Sequence, residues 1–246
     1  RDGGAHDETQ RAGKDVDSLQ TTLAQFNETQ SQDAFTLQNS KLLKVQLNQI
    51  TVQAKIGSMV AYQGDVDFEH AGSGGMSRFL KKAVTGEGQS LMKVAGQGEV
   101  FLADRAQDVH LIYLENDKIT VNGPNVLAFD AGIDWDIERV QGMSSMAGGG
   151  LYNTALQGTG WVAILSDGPP VLLNVAQAAT FADPQAAITW SSGVTTSHFS
   201  LGIDTTTPGP KKQWSGISSR KGVPSMTCAG TSTWVVECMT VVIRCV

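Results

Sequence analysis

Apolar and polar residues alternate along much of this chain. From Phe35 the apolar positions recur at every second residue or close to it: Phe35 and Leu37, then Leu42, Leu43, Val45 and Leu47, then Val52, Ala54 and Ile56. A period of two sends successive side chains to opposite faces and predicts half-buried strands. Gly57 breaks this pattern, and an apolar run from Ser58 to Tyr62 resumes it before Gly64, which reads as a turn. Helical spacing occurs in two short stretches only. Leu19, Leu23 and Phe26 are spaced four and three apart within Val16 to Phe26, a segment too short to be a stable helix alone. Met76, Phe79, Leu80 and Ala83 share one face of a short amphipathic stretch, Met76 to Val84, which follows the glycine-rich Ala71 to Gly75. The pattern predicts an all-β protein with a short helix or loop excursion near residues 70–85.

Part of the pattern is written twice. Gly86, Gly88, Gly96 and Gly98 fall on Gly148, Gly150, Gly158 and Gly160 at a constant offset of 62 residues, Gly86 to Gly148, with no gap. Each copy leads to an apolar run, Val109 to Leu114 and then Val171 to Val175. The stretch around Pro124 is answered around Pro184 at an offset of 60. Self-similarity at a fixed period marks tandem structural units. Gly-x-Gly between strand-like runs suits a tight hairpin turn with positive φ, and the prolines suit strand starts or edges. A phosphate-cradling loop is the rival reading. It fails because Gly86-Glu87-Gly88 has no third glycine in place, no following helix and no P-loop lysine.

The units divide the chain into three parts. Residues 1–33 are polar and read as a disordered extension, residues 34–197 as the repeated β domain, and residues 198–246 as a divergent tail whose last β unit is incomplete. Composition changes little in this picture. A net charge of −6 argues against a broad nucleic-acid face. No apolar run approaches the roughly 18 residues of a membrane-spanning helix, and the polar start has no signal-peptide core. The expectation is a cytoplasmic protein. Cys228, Cys238 and Cys245 form neither a disulfide framework nor a metal-ligand spacing and read as free thiols.

Candidate chemistry is sparse. His6, His70, His110 and His198 are scattered, and His110, inside an apolar run, reads as a satisfied or solvent-facing strand histidine. Asp104 and Asp108 lie near Arg105 in a connection, as loop-end carboxylates do. Asp134, Asp136 and Glu138 alternate around Ile133, Trp135 and Ile137. Three carboxylates on one strand face can bind a hard cation, but a solvated face is the simpler reading. Ser58, Ser90 and Ser144 have no Gly-x-Ser-x-Gly setting. No catalytic residue, cofactor site or metal site is assigned.

Several blocks together resemble the family named for altered inheritance of mitochondria, member twenty-four. They are Leu37-Gln38-Asn39, Lys55 to Tyr62, Thr85 to Gly88, Gly96 to Ala103, Val126 to Phe129 and Gly158 to Val162, so the resemblance runs from about Phe35 to Ser197. It implies a double-stranded β-helix, with β-sandwich-like units in tandem, similar to the tryptophan-sensing RNA-binding attenuation protein. The chain resembles the bacterial-type members, which have no established activity, whereas the mitochondrial members are associated with organisation of the inner membrane. The resemblance implies no catalytic residues. The expected function is a non-enzymatic structural or interaction protein, a homo-oligomer or the partner of another protein. Peripheral membrane contact is expected through Met76 to Val84. The alternative, by fold analogy alone, is a small-molecule or single-stranded RNA binder.

Overall fold

The computed structural model describes residues 19–70, 91–139, 152–176, 180–182, 186–194, 197–200, 215–218 and 240–244. The chain forms two compact units, Arg1–Ser31 and Gln32–Val246. In the first, a single-turn helix Leu19–Leu23 runs into a 3-10 turn Ala24–Phe26, at the helical spacing expected there, and Leu19, Leu23 and Phe26 are all exposed.

The second unit is almost wholly strand. In chain order the strands are β1 (Phe35–Asn39), β2 (Leu42–Gln46), β3 (Val52–Lys55), β4 (Met59–His70), β5 (Leu91–Leu102), β6 (Asp108–Asn122), β7 (Val126–Asp130) and β8 (Asp134–Arg139). They continue with β9 (Tyr152–Ser166), β10 (Pro170–Asn174), β11 (Phe181–Ala182), β12 (Ala187–Ser191), β13 (Ser197–Ser200), β14 (Ser215–Ser218) and β15 (Thr240–Arg244). Twelve of them make one curled antiparallel sheet, a half-barrel, in the order β1-β2-β5-β3-β7-β9-β6-β12-β15-β10, with β4 on β5 and β8 on β9. A small second sheet joins β11, β14 and β13. β5 lies between β4 and the short β2 and β3; β9 lies between β6 and the short β7 and β8; β15 lies between β10 and the short β12. The tail therefore adds a strand to the main sheet.

The two described Gly-x-Gly pairs are not turns. Gly96 and Gly98 lie in the middle of β5, and Gly158 and Gly160 in the middle of β9; Gly64, also expected as a turn, lies inside β4 opposite Gly98. The reason is curvature. A long two-stranded ribbon that curls into a half-barrel must bend sharply, and at the bend the backbone or a side chain of a neighbouring strand occupies the space of a Cβ. At Gly98, with φ of +154°, a Cβ would overlap the Gln63 carbonyl oxygen of β4. At Gly160, with φ of +145°, it would lie 2.5 Å from Asp130 Oδ2. Gly86, Gly88 and Gly148 to Gly150 lie outside the described residues, as do Pro184, the Met76 to Val84 stretch and the three cysteines.

Two large apolar clusters lie one on each face of the shared strands, and a smaller third joins Val175, Ala187, Trp190 and Val194. Leu43, Val45, Val52, Val94, Val100, Leu102, Leu127 and Ala163 belong to the first, and Leu114, Val126, Phe129, Leu156, Val162 and Ile164 to the second. β7 and β9 feed both, which is why Val126–Phe129 and Val162–Leu165 are buried on both faces and read as near-continuous apolar runs. Pro124 sits in a 3-10 turn, Gly123–Asn125, ahead of β7, and the buried Asn125 there donates to the Leu165 carbonyl at 2.8 Å.

Candidate functional site

Two surfaces qualify on chemistry. The first is the polar loop end where β5 turns into β6. Arg105 and Ala106 both adopt positive φ, and Gln107 N–H donates to the Asp104 carbonyl at 2.9 Å, the pattern of a type I′ turn. Lys41, from the β1–β2 turn, donates to the Ala106 carbonyl at 2.8 Å and pairs with Asp108 at 3.1 Å. Lys55 pairs with Asp104 at 2.6 Å and also donates to the Pro124 carbonyl. Ser58, buried, donates to the Lys55 carbonyl.

Asp108, His110 and Ser166 come together on one face of the β6–β9 ladder, where Asp108 pairs with Ser166 and His110 with Ile164. His110 Nε2 lies 2.7 Å from Ser166 Oγ, and that hydroxyl lies 2.6 Å from the Gly168 carbonyl. A carbonyl only accepts, so Ser166 donates to Gly168, and its oxygen accepts from a protonated His110 Nε2. This polarity is the reverse of what a base needs to activate a serine. Ser166 is also fully buried, and Asp108 is bound to Lys41. Burial holds the His110 pKa below its ordinary value, with Asp108 pulling it back. The cluster is a structural clasp at the end of the sheet. Sequence reasoning found His110 and Asp108 but not Ser166, which adopts its role only through the register of β6 on β9.

The three carboxylates of β8 do not converge. Asp134 and Asp136 are exposed, and Glu138 pairs with Lys118 at 2.7 Å. Among the described residues no group of three or more His, Cys, Asp or Glu is placed to hold a metal ion. His6, Ser90 and Ser144 lie outside the described residues; His70 and His198 lie on β4 and β13, on different sheets.

The second surface is β4. Among the described residues this strand pairs with β5 alone, over its whole length, and its residues from Met59 to Glu69 are exposed apart from the half-buried Val66. Tyr62, Val66 and Phe68 share one face, the same face as the core residues Val94 and Val100 opposite them on β5. The Tyr62 and Phe68 rings meet edge to face at 5.2 Å. Asp65, Asp67 and Glu69 share the other face. Near the base, Ile56, Met59 and the bulged Val60 (59% exposed) add apolar surface, and Ile56 to Gly64 carries no charge. A sheet edge with alternate N–H and C=O groups directed outward is a template for another strand. The sequence held the signal. Alternation runs unbroken through Gly64, and reading that glycine as a turn hid the strand.

The chain matches the family model described as mitochondrial biogenesis AIM24 over residues 35–238. The chain belongs to that family. The match extends past Ser197, where the resemblance was expected to end, and β15 lies just beyond it. The AIM24-family chain also matches a crystal structure of protein SPYM3_0169 from Streptococcus pyogenes, a structural-genomics target, with a TM-score of 0.61 and 17% identity over 86% of this chain and 92% of that one. At that identity the likeness is one of fold. No curated protein matches the chain significantly.

Proposed function

We propose that this AIM24-family chain is a non-enzymatic interaction protein that assembles with others through the edge of its sheet. The observation that carries the reading is β4: twelve residues of strand, paired among the described residues on one side only and bearing exposed Met59, Val60, Tyr62 and Phe68. An edge of this length is normally shortened, covered or charged along its whole extent, and the base half of β4 carries no charge. The loop-end cluster supports the same reading from the other side, because its one histidine–serine pair is polarised against catalysis. Lys41, Lys44, Lys55 and Lys118 are each paired with a carboxylate, which favours a protein partner over single-stranded RNA. The family's name ties its members to mitochondrial biogenesis, and an assembly role fits that process without requiring chemistry.

The fold is read as a tandem repeat on the same footing. β5, β9 and β15 would be the central strands of three units, each held between a partner strand and a short strand, in a double-stranded β-helix. The offset of 62 residues that carries Gly96 onto Gly158 also carries β5 onto β9, and this supports the reading.

A photo-crosslinking amino acid placed at Tyr62 in native cells tests the function. Trapping of a defined protein at position 62, and not at the exposed Asp136 of β8, is the expected result. Equal trapping at both positions, or none at 62, would count against it.

A further inference from the structure

The two faces of β4 are chemically opposite, and this restricts what can pair with it. On one face Tyr62, Val66 and Phe68 continue the apolar core outward to the sheet's edge. On the other, Asp65, Asp67 and Glu69 stand at every second residue. Their neighbours across the β5 ladder are Gln97, Ala95 and Lys93, so only Glu69 has a cation opposite it. Like charges held side by side on a strand face repel, and an added strand with cations at matching positions relieves that repulsion. Resting on the interaction reading above, we propose that the outer edge of β4 accepts an extended peptide segment in which basic and apolar residues alternate, added as a further strand of the sheet.

In such strand addition the backbone hydrogen bonds supply attraction, and alternate side chains supply selectivity. Lysine or arginine side chains of the incoming segment lie over Asp65, Asp67 and Glu69, and its apolar side chains extend the Tyr62–Phe68 surface. A second copy of this chain is a poor occupant through the same edge. β4 contains no lysine or arginine, so pairing two copies of it in parallel and in register brings six carboxylates together with no lysine or arginine from either strand.

The test uses three labelled synthetic peptides of equal length and the full chain. One alternates Lys and Val; one has the same composition with the lysines in a block; one alternates Glu and Val. Fluorescence anisotropy is expected to give the alternating basic peptide roughly tenfold tighter binding than either of the others. The double variant Asp65→Lys/Asp67→Lys changes only exposed side chains, and its melting curve checks that it is folded. It is expected to lose that preference and to gain affinity for the Glu–Val peptide. Equal binding of the alternating and blocked basic peptides, or binding unchanged in the double variant, would overturn the proposal. If the peptides fail while crosslinking at Tyr62 still traps a protein, the partner's chemistry is wrong and the interaction reading stands. If both fail, the reading falls too.

Discussion

At the scale of single residues, backbone geometry and one carboxylate give the sharpest expectations. Gly98→Ala drives a Cβ into the Gln63 carbonyl and should cost about 2–4 kcal/mol in urea unfolding. Gly132→Ala, where a Cβ meets nothing within 4 Å, should change stability by less than about 0.5 kcal/mol. Ala106 works in the opposite direction. It holds a φ of +56° that a glycine adopts without strain, so Ala106→Gly should stabilise by about 1 kcal/mol. Asp130 accepts the Trp161 N–H at 2.6 Å, and burial raises its pKa above the ordinary 3.8 more than that bond lowers it. A raised folded-state pKa means the folded chain holds the proton more tightly than the unfolded one. This group therefore favours folding below about pH 3.8 and opposes it once the pH has risen through the folded value. Asp130→Asn keeps an acceptor for Trp161 without the charge. Its urea midpoint should match or exceed the wild type at pH 7, and the advantage should vanish near pH 3; a variant weaker at pH 7 and equal at pH 3 would contradict this.

At the scale of elements, the long ribbons depend on local irregularities placed where the sheet bends. In β6 the register on β9 shifts between Glu115 and Asp117, and Asn116 fills the bulge at φ of +59°, donating its backbone N–H to Thr159 Oγ1 at 2.9 Å. A β-branched side chain does not tolerate that conformation, so Asn116→Val should cost about 1–2 kcal/mol by chemical denaturation. The strands themselves were legible in the sequence where apolar and polar residues alternate: Phe35, Leu43, Val45, Val52 and Ala54 line one cluster as expected, although Lys44 and Gln53 between them are buried as well. What was not legible was the role of glycine. Gly-x-Gly between apolar runs fits a hairpin turn and a mid-strand bend equally well by local rules, and only groups distant in sequence decide between them, the Asp65 and Gln63 carbonyls at Gly96 and Gly98 and the Asp130 side chain at Gly160. The clasp of His110 and Ser166 was hidden for the same reason, since 56 residues separate the pair.

At the scale of the whole sheet unit, the two large apolar clusters share β7 and β9 and should unfold together. Phe129→Ala removes a fully buried ring from the second cluster and should cost about 3–5 kcal/mol. Tryptophan fluorescence and far-ultraviolet circular dichroism should still report one common transition for Gln32–Val246. The proposed function belongs to this scale, because among the described residues the half-barrel leaves the outer edge of β4 unpaired. At the polar loop end Lys41 and Lys55 are paired with Asp108 and Asp104, and among the described strands β4 combines a long edge with exposed apolar side chains. That free edge is the centre of the account, and residue-resolved amide hydrogen exchange of the isolated chain tests it most directly. Alternate amides from Val60 to Glu69 are expected to exchange quickly while the amides between them, and those of β5, stay protected. Uniform protection along β4 would mean that its outer edge is already covered, and would contradict it.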